Sequence, residues 1–456
     1  VLYCIKERAC DLDRINAFLN RFLSHERKLR WMRLDNAAKI YPAAKRRKWN
    51  NFFRLSATLC DEVDKTVLRN AMDVTMRRFP SIAVRLCRGA FWYYLEELSS
   101  APEITDEKSW PLAHTPFESI NECALRVIVY KNRIAVEFYH ALTDGTGGMV
   151  FLKSLLAEYI EQKYGVEIPN ECGVLDRLTQ PQEEELEDSF SKNAGSVSVS
   201  RNASTAFKIH YTPERDDFRH LTTFILDSNA ALAAAKSCGV SLTVYLTSAM
   251  LLALQRIQDE QTPDKRRQKP IRVVVPVNLR RLFPSRTLRN FVHVIMPEID
   301  PRMGDYEFSE ILTSVKHQLG LLVTKKNLCA MFTPNVNAER SPLLRVMPLF
   351  LKNIAMKLVY DTVGERTNCL NLSNLGDIKV PDAMRRYVTR FDFILGVQAT
   401  KPNNCGVLSY NGKLYMNFIR NTVEPVLEFQ FYQVLRELGL HVKVESNGAG
   451  NISDSN

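Results

Sequence analysis

The sequence lacks an apolar run long enough to cross a membrane. A spanning helix needs about 20 consecutive apolar residues, and the two most apolar stretches, Leu242–Ile257 and Met347–Tyr360, are interrupted by Gln255 and by Lys352 and Lys357. The first residues also lack the basic, apolar and small-residue pattern of a secretory signal. We therefore predict a cytoplasmic protein without a transmembrane segment.

Paired cysteines and metal-binding motifs are missing as well. The ten cysteines of the 456 residues form no CxxC pair, and the eight histidines form no HExxH motif. This spacing argues against zinc knuckles and disulfide scaffolds, fits a reducing compartment, and gives no support for a metal. The basic runs Lys45–Lys48 and Lys265–Arg267 are not interleaved with aromatic residues, so we expect no nucleic-acid partner.

What remains is the composition of an ordinary globular protein. Hydrophobic residues make up 45% and charged residues 25%, which excludes collagen-like, low-complexity and disordered chains. The net charge of +10 favours anionic or phosphorylated partners, and the length allows two or three domains.

Periodicity and composition divide the chain into five segments. Residues 1–29 hold one amphipathic helix, whose apolar stripe must be covered by the body of the protein, a partner or a lipid surface. A first lobe at 30–175 and a second at 205–444 mix strands with helices, including one amphipathic helix over Leu343–Val359. The crossover at 176–204 carries the acidic run Glu183–Asp188, which we expect to be solvated, and residues 445–456 form a polar tail expected to be disordered.

The most informative segment is the loop His140–Gly148. It follows a buried-looking strand, Ile134–Tyr139, and precedes a helix over Met149–Tyr164, so it places an imidazole and the Asp144 carboxylate in a strand-to-helix loop. Such loops often carry functional sites. A histidine satisfied within a tight turn is the alternative interpretation.

Several segments taken in order resemble a known family. They are His140–Gly145, then Val275–Arg281 with Arg289–Phe291, then Asn371–Gly376, and finally Phe391–Gly396. This order resembles the HxxxD(G) acyl-CoA-dependent acyltransferases, which include chloramphenicol acetyltransferase, condensation domains, plant BAHD enzymes and alcohol O-acetyltransferases. Leu34–Tyr41 and Gly89–Tyr94 look most like stand-alone bacterial proteins of the alcohol acetyltransferase type. Two departures are Tyr139, where condensation domains usually carry another histidine, and the missing tryptophan in Phe391–Gly396.

The resemblance implies an α/β (α+β) fold of two chloramphenicol-acetyltransferase-like lobes, each a mixed β-sheet covered by helices, with an active-site tunnel between them. It also implies that acyl-CoA, in the first place acetyl-CoA, is a co-substrate, that no cofactor is permanently bound, and that the acceptor is a small alcohol or hydroxylated metabolite.

The chemistry of such a transfer needs one base. A thioester carbonyl is already activated, so the enzyme must mainly take the proton of the attacking hydroxyl and return it to the leaving thiolate. One imidazole with a pKa near 6.5 can do both. We predict that His140 is this general base and that transfer is direct, because nothing beside it resembles an activated serine or cysteine nucleophile.

The resemblance assigns supporting roles to other residues. Asp144 is expected to form a structural salt bridge with Arg280, although Arg281 is adjacent. Ser373 and Asn374 are candidate donors to the oxyanion, with a strand-end turn as the alternative. Gly145, Gly147 and Gly148 fit close backbone approach and positive φ, with amides near the start of the next helix that can face an anion; the alternative is simply a turn. The two basic runs are candidate contacts for CoA phosphates, although such runs are usually solvated.

Two other hypotheses remain at this stage. One is a free-standing condensation-like enzyme that takes its acyl group from an acyl-carrier protein thioester and joins it to an amine. The other is a non-catalytic member of the fold, against which the intact His140 and Asp144 argue.

Overall fold

The computed structural model describes residues 29–43, 51–199, 204–215, 218–398 and 401–447. The predicted helix in residues 1–29 and the basic run Lys45–Lys48 lie outside these ranges. Buried apolar side chains fall into two clusters: one combines the first lobe with residues between Ile378 and Ile419, and the other lies almost entirely in the second lobe. The predicted α/β class with two lobes is confirmed.

The first lobe is built on strands whose burial follows their position in the sheet. The central strands are buried on both faces, whereas their outer neighbour alternates between buried and half-buried residues. The elements are strands β1 (Trp31–Arg33), β2 (Phe52–Leu59), β3 (Val84–Arg88), β4 (Tyr93–Glu97), β5 (Ile104–Asp106), β6 (Leu125–Tyr130) and β7 (Arg133–Tyr139), with helices α1 (Ile40–Ala43), α2 (Lys65–Arg78), α3 (Phe117–Glu122) and α4 (Gly145–Tyr164).

Two short helices follow in the crossover, α5 (Glu183–Leu186) and α6 (Ser189–Asn193). The second lobe then contains strands β8 (His220–Asp227), β9 (Ile271–Asn278), β10 (Val292–Ile295), β11 (Glu298–Ile299), β12 (Leu370–Asp377), β13 (Val388–Ile394), β14 (Asn403–Tyr410), β15 (Lys413–Arg420) and β16 (Lys443–Ser446). Its helices are α7 (Ser228–Ser237), α8 (Leu242–Gln261), α9 (Phe308–Leu322), α10 (Lys325–Arg340), α11 (Pro342–Val346), α12 (Leu349–Val359), α13 (Asp382–Arg385) and α14 (Val426–Glu437).

The strands of the described residues form three sheets. One has the order β1-β4-β3, a second β13-β2-β7-β6-β5, and a third β10-β9-β12-β14-β15-β8-β16, with β11 also paired to β9. Strand β13 therefore leaves the second lobe and pairs antiparallel with β2 of the first. The predicted lobe boundaries do not contain this crossing.

Three local predictions are wrong. The single helix over Leu343–Val359 is two helices, because Pro348 has no amide hydrogen to continue the first one. The acidic run is not simply solvated, since Glu185 is buried and accepts two hydrogen bonds from Arg78 at 2.5 and 2.6 Å. The tail does not begin at Glu445, which pairs with Thr223 within β16 and β8; residues 448–456 lie outside the described chain.

Among the described residues, no single helix is long and apolar enough to cross a membrane. Helices α7 and α8 would pass by length and composition only as a pair, and they are bent by 85° relative to each other.

Candidate active site

His140 lies directly after β7, on a cavity of about 670 Å³ that both lobes line. Its backbone amide donates to the carbonyl of Asn51, which holds the start of the loop against the chain before β2. The opposite wall comes from β9, β10 and β12 of the second lobe. A hydrogen bond from Asn278 Nδ2 to Thr146 Oγ1, 3.1 Å long, joins the lobes beside the site.

The His140 ring is held between aromatic side chains. Tyr41 stacks on it with 4.8 Å between ring centroids, and Phe53 meets it edge-on at 5.0 Å. Burial lowers the pKa of His140 below its ordinary value of 6.5, and this exceeds the opposing effects of its backbone contact, Asp144 and Asn290. The imidazole is therefore neutral at neutral pH and available as a base.

Asn290 determines which imidazole nitrogen carries the proton. Its amide Nδ2 faces two acceptors, the His140 carbonyl at 3.0 Å and Asp35 Oδ2 at 3.3 Å. Its Oδ1 must then face His140 Nδ1, 3.2 Å away, and an amide oxygen can only accept. His140 Nδ1 consequently carries the hydrogen, and the lone pair lies on Nε2.

Asp35 accepts hydrogen bonds from Asn290 on the side away from His140. Its Oδ2 also accepts from the backbone amide of Asn290 at 3.3 Å, and Oδ1 accepts from the amide of Ala38 at 2.7 Å. Burial raises the pKa of Asp35 to about 6, against the lowering effect of the Arg289 guanidinium, 3.7 Å away. A continuous chain of contacts thus connects Asp35 through Asn290 to His140.

The Asp144 carboxylate is saturated by contacts other than the imidazole. Its Oδ1 accepts from the amides of Thr146 and Gly147 at 3.1 and 3.0 Å and so caps α4. Its Oδ2 accepts from Arg280 Nη1 and from the amide of Phe291, both at 2.8 Å. The geometry gives Asp144 a positioning role that fixes the loop to the second lobe.

Arg280, rather than Arg281, is the partner of Asp144. The remaining Arg280 donors contact the carbonyls of Thr287 and Arg289, so the guanidinium also holds the turn that carries Asn290. Arg281 is exposed at the edge of the cavity.

Close approach requires a glycine most clearly at Gly147, where the neighbour is backbone, and less strictly at Gly145 and Gly148, where only side chains are near. A Cβ on Gly147 would lie 2.2 Å from both the Leu288 carbonyl oxygen and Thr143 Oγ1, and one on Gly145 would lie 2.7 Å from Leu375. The prediction of positive φ is wrong. None of the three has positive φ, and the amides of Gly147 and Gly148 donate to the Asp144 side chain and carbonyl.

Ser373 and Asn374 lie on β12 and line the same cavity as His140. The Asn374 side chain is already engaged, because Nδ2 donates to Thr243 Oγ1 at 3.2 Å and Oδ1 accepts from the Gly376 amide at 2.8 Å. Ser373 is therefore the better placed of the two to donate to a bound substrate.

The basic run Lys265–Arg267 does not line this cavity. Lys265 pairs with Asp259 and Asp305, and Arg266 pairs with Asp264. The described part of the chain contains no group of three or more His, Cys, Asp and Glu side chains arranged to hold a metal.

Sequence reasoning did not assign a role to Asn290, Asp35 or Tyr41. All three stand inside segments that carry the family resemblance, but only the folded structure brings them together around His140, across 150 residues in the case of Asn290.

No family model and no curated protein matches the sequence, but solved structures share its fold. The first condensation domain of the calcium-dependent antibiotic synthetase, in complex with a substrate analogue, matches with a TM-score of 0.58 and 13% identity, over 90% of this chain and 96% of that one. Trichothecene 15-O-acetyltransferase from Fusarium sporotrichioides matches with a TM-score of 0.52 and 13% identity, over 89% of this chain and 94% of that one.

A variant of the starter condensation domain of rhizomide synthetase, in complex with C8-CoA and Leu-SNAC, matches with a TM-score of 0.54 and 11% identity, over 90% of this chain and 93% of that one. At these identities the likeness concerns the fold alone. The chain is thus similar in fold, over most of its length, to condensation domains and to an O-acetyltransferase.

Proposed function

We propose that the protein is an acyltransferase that moves an acyl group, in the first place acetyl, from CoA to the hydroxyl of a small acceptor. The observation that carries this proposal is the neutral His140 with its lone pair on Nε2, beside a cavity lined by both lobes. The folds of the acetyltransferase and of the condensation domain bound to C8-CoA support it.

The transfer follows from the chemistry of one base. Nε2 of His140 takes the hydroxyl proton while the acceptor oxygen forms a bond to the thioester carbonyl carbon. The Ser373 hydroxyl donates to the resulting oxyanion. Collapse of the tetrahedral intermediate breaks the carbon–sulfur bond, and the imidazolium returns the proton to the thiolate, so that the ester and free CoA leave with the enzyme unchanged.

The test is to incubate the purified protein with a set of acyl-CoA thioesters and alcohol or amine acceptors, and to follow free thiol and ester or amide formation. Release of thiol that depends on the acceptor supports the proposal. Initial-rate plots at several concentrations of both substrates should intersect, because no acyl-enzyme separates two half-reactions.

The same assay with an acyl-carrier protein thioester tests the second hypothesis. Transfer from the carrier protein to an amine, without transfer from free acyl-CoA, would assign the chain to condensation chemistry and contradict our proposal. Covalent acylation of a serine or cysteine by acyl-CoA alone would contradict direct transfer.

A further inference from the structure

The cavity that holds His140 contains a buried lysine at another position on its wall. Lys401, just before β14, is 3% exposed and lines this cavity. In the described part of the chain, its Nζ has a single hydrogen-bond acceptor, Asn371 Oδ1 at 3.5 Å, which is at the limit of a hydrogen bond. A buried ammonium with one weak partner raises the free energy of the folded protein, so a ligand that pairs with it would be bound favourably.

The charged groups near Lys401 do not neutralise it fully. Burial in the first place, and then the Lys208 ammonium, lower the pKa of Lys401 to about 7, against the effects of Glu365 and Cys369. Lys208 differs from Lys401 in being satisfied, because its Nζ lies 2.7 and 2.6 Å from the carbonyl oxygens of Glu365 and Asn368. Burial raises the pKa of the Cys369 thiol to about 11, so it is uncharged at neutral pH.

Two unsatisfied acceptors line the same cavity. Asn368 Oδ1 and Gln398 Oε1 are buried without a hydrogen-bond partner in the described part of the chain. Leaving such an atom unpaired costs about 1–3 kcal/mol. We call the set of Asn368, Asn371, Gln398 and Lys401 the polar end of the cavity. Within this set Lys401 is the donor that lacks a strong acceptor, so a ligand that accepts hydrogen bonds fits beside it; the two unpaired oxygens are closed to solvent and take no part in binding an anion.

The strand register fixes the position of the polar end relative to the chemistry. Asn371 and Ser373 lie two residues apart on β12, so both point to the same face, about 7 Å apart. Asn371 pairs with Val274 of β9. Asn278, which contacts the His140 loop, is four residues further along β9, or about 13 Å. A substrate can therefore reach both places at once.

We propose that the polar end binds a carboxylate carried by one of the two substrates, so that the substrate class is an alcohol or acyl chain with a distal acid group. Lys401 supplies a charge-assisted hydrogen bond to the carboxylate, in a buried setting where such bonds are strong. This inference rests on the proposed transfer for its assay, but binding of the carboxylate can be measured separately.

The experiment compares matched substrates in two arms. In the first, acetyl-CoA is offered with ω-hydroxy carboxylates of increasing chain length and with their methyl esters. In the second, a neutral alcohol is offered with acyl-CoA thioesters that do or do not end in a carboxylate. In one arm, at one chain length, we expect the kcat/KM of the substrate with a carboxylate to exceed that of its uncharged counterpart by at least about tenfold, equivalent to about 1.4 kcal/mol. The arm that shows this preference identifies which substrate carries the carboxylate.

The variant Lys401→Met should remove this preference, so that the kcat/KM values for the acid and for its methyl ester agree within about twofold in the variant. Lys401→Gln, which keeps a polar side chain, serves as a second variant if the first folds poorly. Lys208→Met is the matched control, because Lys208 is a neighbouring, half-buried lysine that does not line the cavity, and it should keep the preference.

The possible failures are distinguishable. Transfer in the wild type with no preference for acids in either arm overturns the carboxylate site and leaves the proposed function intact. If no pair is transferred, the proposed function fails, and calorimetric titration of both carboxylate series, the ω-hydroxy carboxylates and the acyl-CoA thioesters that end in a carboxylate, into wild type and Lys401→Met still decides on the site. Equal heats and affinities in both proteins would overturn it.

Discussion

The amide oxygen of Asn290 lies 3.2 Å from Nδ1 of His140, and the amide nitrogen of the same side chain donates to the His140 carbonyl. Asn290 therefore forms hydrogen bonds with both the ring and the backbone of His140, the candidate base. The second contact prevents the amide from turning over, and the first then fixes the tautomer. Asn290 is a positioning residue in the sense that it acts through His140.

Replacing Asn290 by alanine should lower kcat by at least about tenfold with little change in KM. When the pH is lowered, the wild-type kcat/KM should fall with a midpoint below pH 6.5, because burial lowers the pKa of His140. The hydrogen bond that His140 Nδ1 donates to Asn290 Oδ1 opposes that effect, so the variant's midpoint should lie lower still. Asn353→Ala, which removes a contact to the Tyr93 hydroxyl away from the cavity, is the control. An unchanged midpoint in Asn290→Ala would mean that Asn290 does not tune the imidazole.

His140→Ala should reduce transfer by about 10²–10⁴ or more, the range of general-base contributions. The thermal midpoint should fall much less than the rate, because the half-buried ring lies on the cavity wall, and acyl-CoA binding should change little. The matched control is His317→Ala, an exposed histidine on α9, which should retain full activity. Activity within tenfold of the wild type in His140→Ala would remove His140 from the mechanism.

Asp144→Asn and Arg280→Ala should each destabilise the fold by about 3 kcal/mol, because each leaves a buried partner unpaired. Their effects on stability and rate should not add in a double-mutant cycle, since both remove the same ion pair. Arg281→Ala, at the exposed edge of the cavity, should change stability by no more than about 0.5 kcal/mol. Additive losses in urea unfolding would show that the ion pair is not the shared cause.

Gly147→Ala should destabilise the protein by about 1–3 kcal/mol or prevent folding, because the new methyl group overlaps the Leu288 carbonyl and the Thr143 hydroxyl. Gly320→Ala provides the opposite case. Gly320 lies within α9 with open space around its Cβ position, and alanine there should stabilise the helix by about 0.5–1 kcal/mol. Equal effects of the two changes on the free energy of unfolding would contradict the close-approach argument.

The sequence was most informative where a local pattern is sufficient. The hairpin with Asn411-Gly412 at its turn spans β14 and β15 as expected, because Asn411 and Gly412 both take positive φ. The two lobes and the position of His140 at the end of a strand were also predicted. By contrast, the pairing of β13 with β2 joins segments more than 300 residues apart, and no local pattern encodes it.

The supporting residues of the site were harder to find for the same reason. Asn290 and Asp35 are ordinary polar residues in sequence, and their role arises from the burial that brings them together. Lys401 gave no signal at all, because a lysine between two strands is usually solvated. Its burial and its cavity position are visible only in the fold.

Lys401 should also leave a signature in stability as a function of pH. Its pKa is about 7 in the folded protein against 10.5 for the ordinary side chain, because burial disfavours the charged form. Between these values the unfolded chain binds more protons than the folded one, so this group makes the free energy of unfolding rise with pH. Below pH 7 the folded protein carries the full cost of a buried charge.

The variant Lys401→Met should therefore exceed the wild type in thermal midpoint most clearly at about pH 6, and the gap should narrow steadily as the pH is raised towards 10. The control is Lys413→Met, which removes an exposed lysine at the start of β15 and should give a small gap that does not vary over this range. A gap for Lys401→Met that stays constant from pH 6 to pH 9 would mean that the ammonium is not held at a cost. A higher thermal midpoint for the wild type than for the variant at pH 6 would mean that protein groups already stabilise the Lys401 ammonium. The polar end would then have no need of a bound carboxylate.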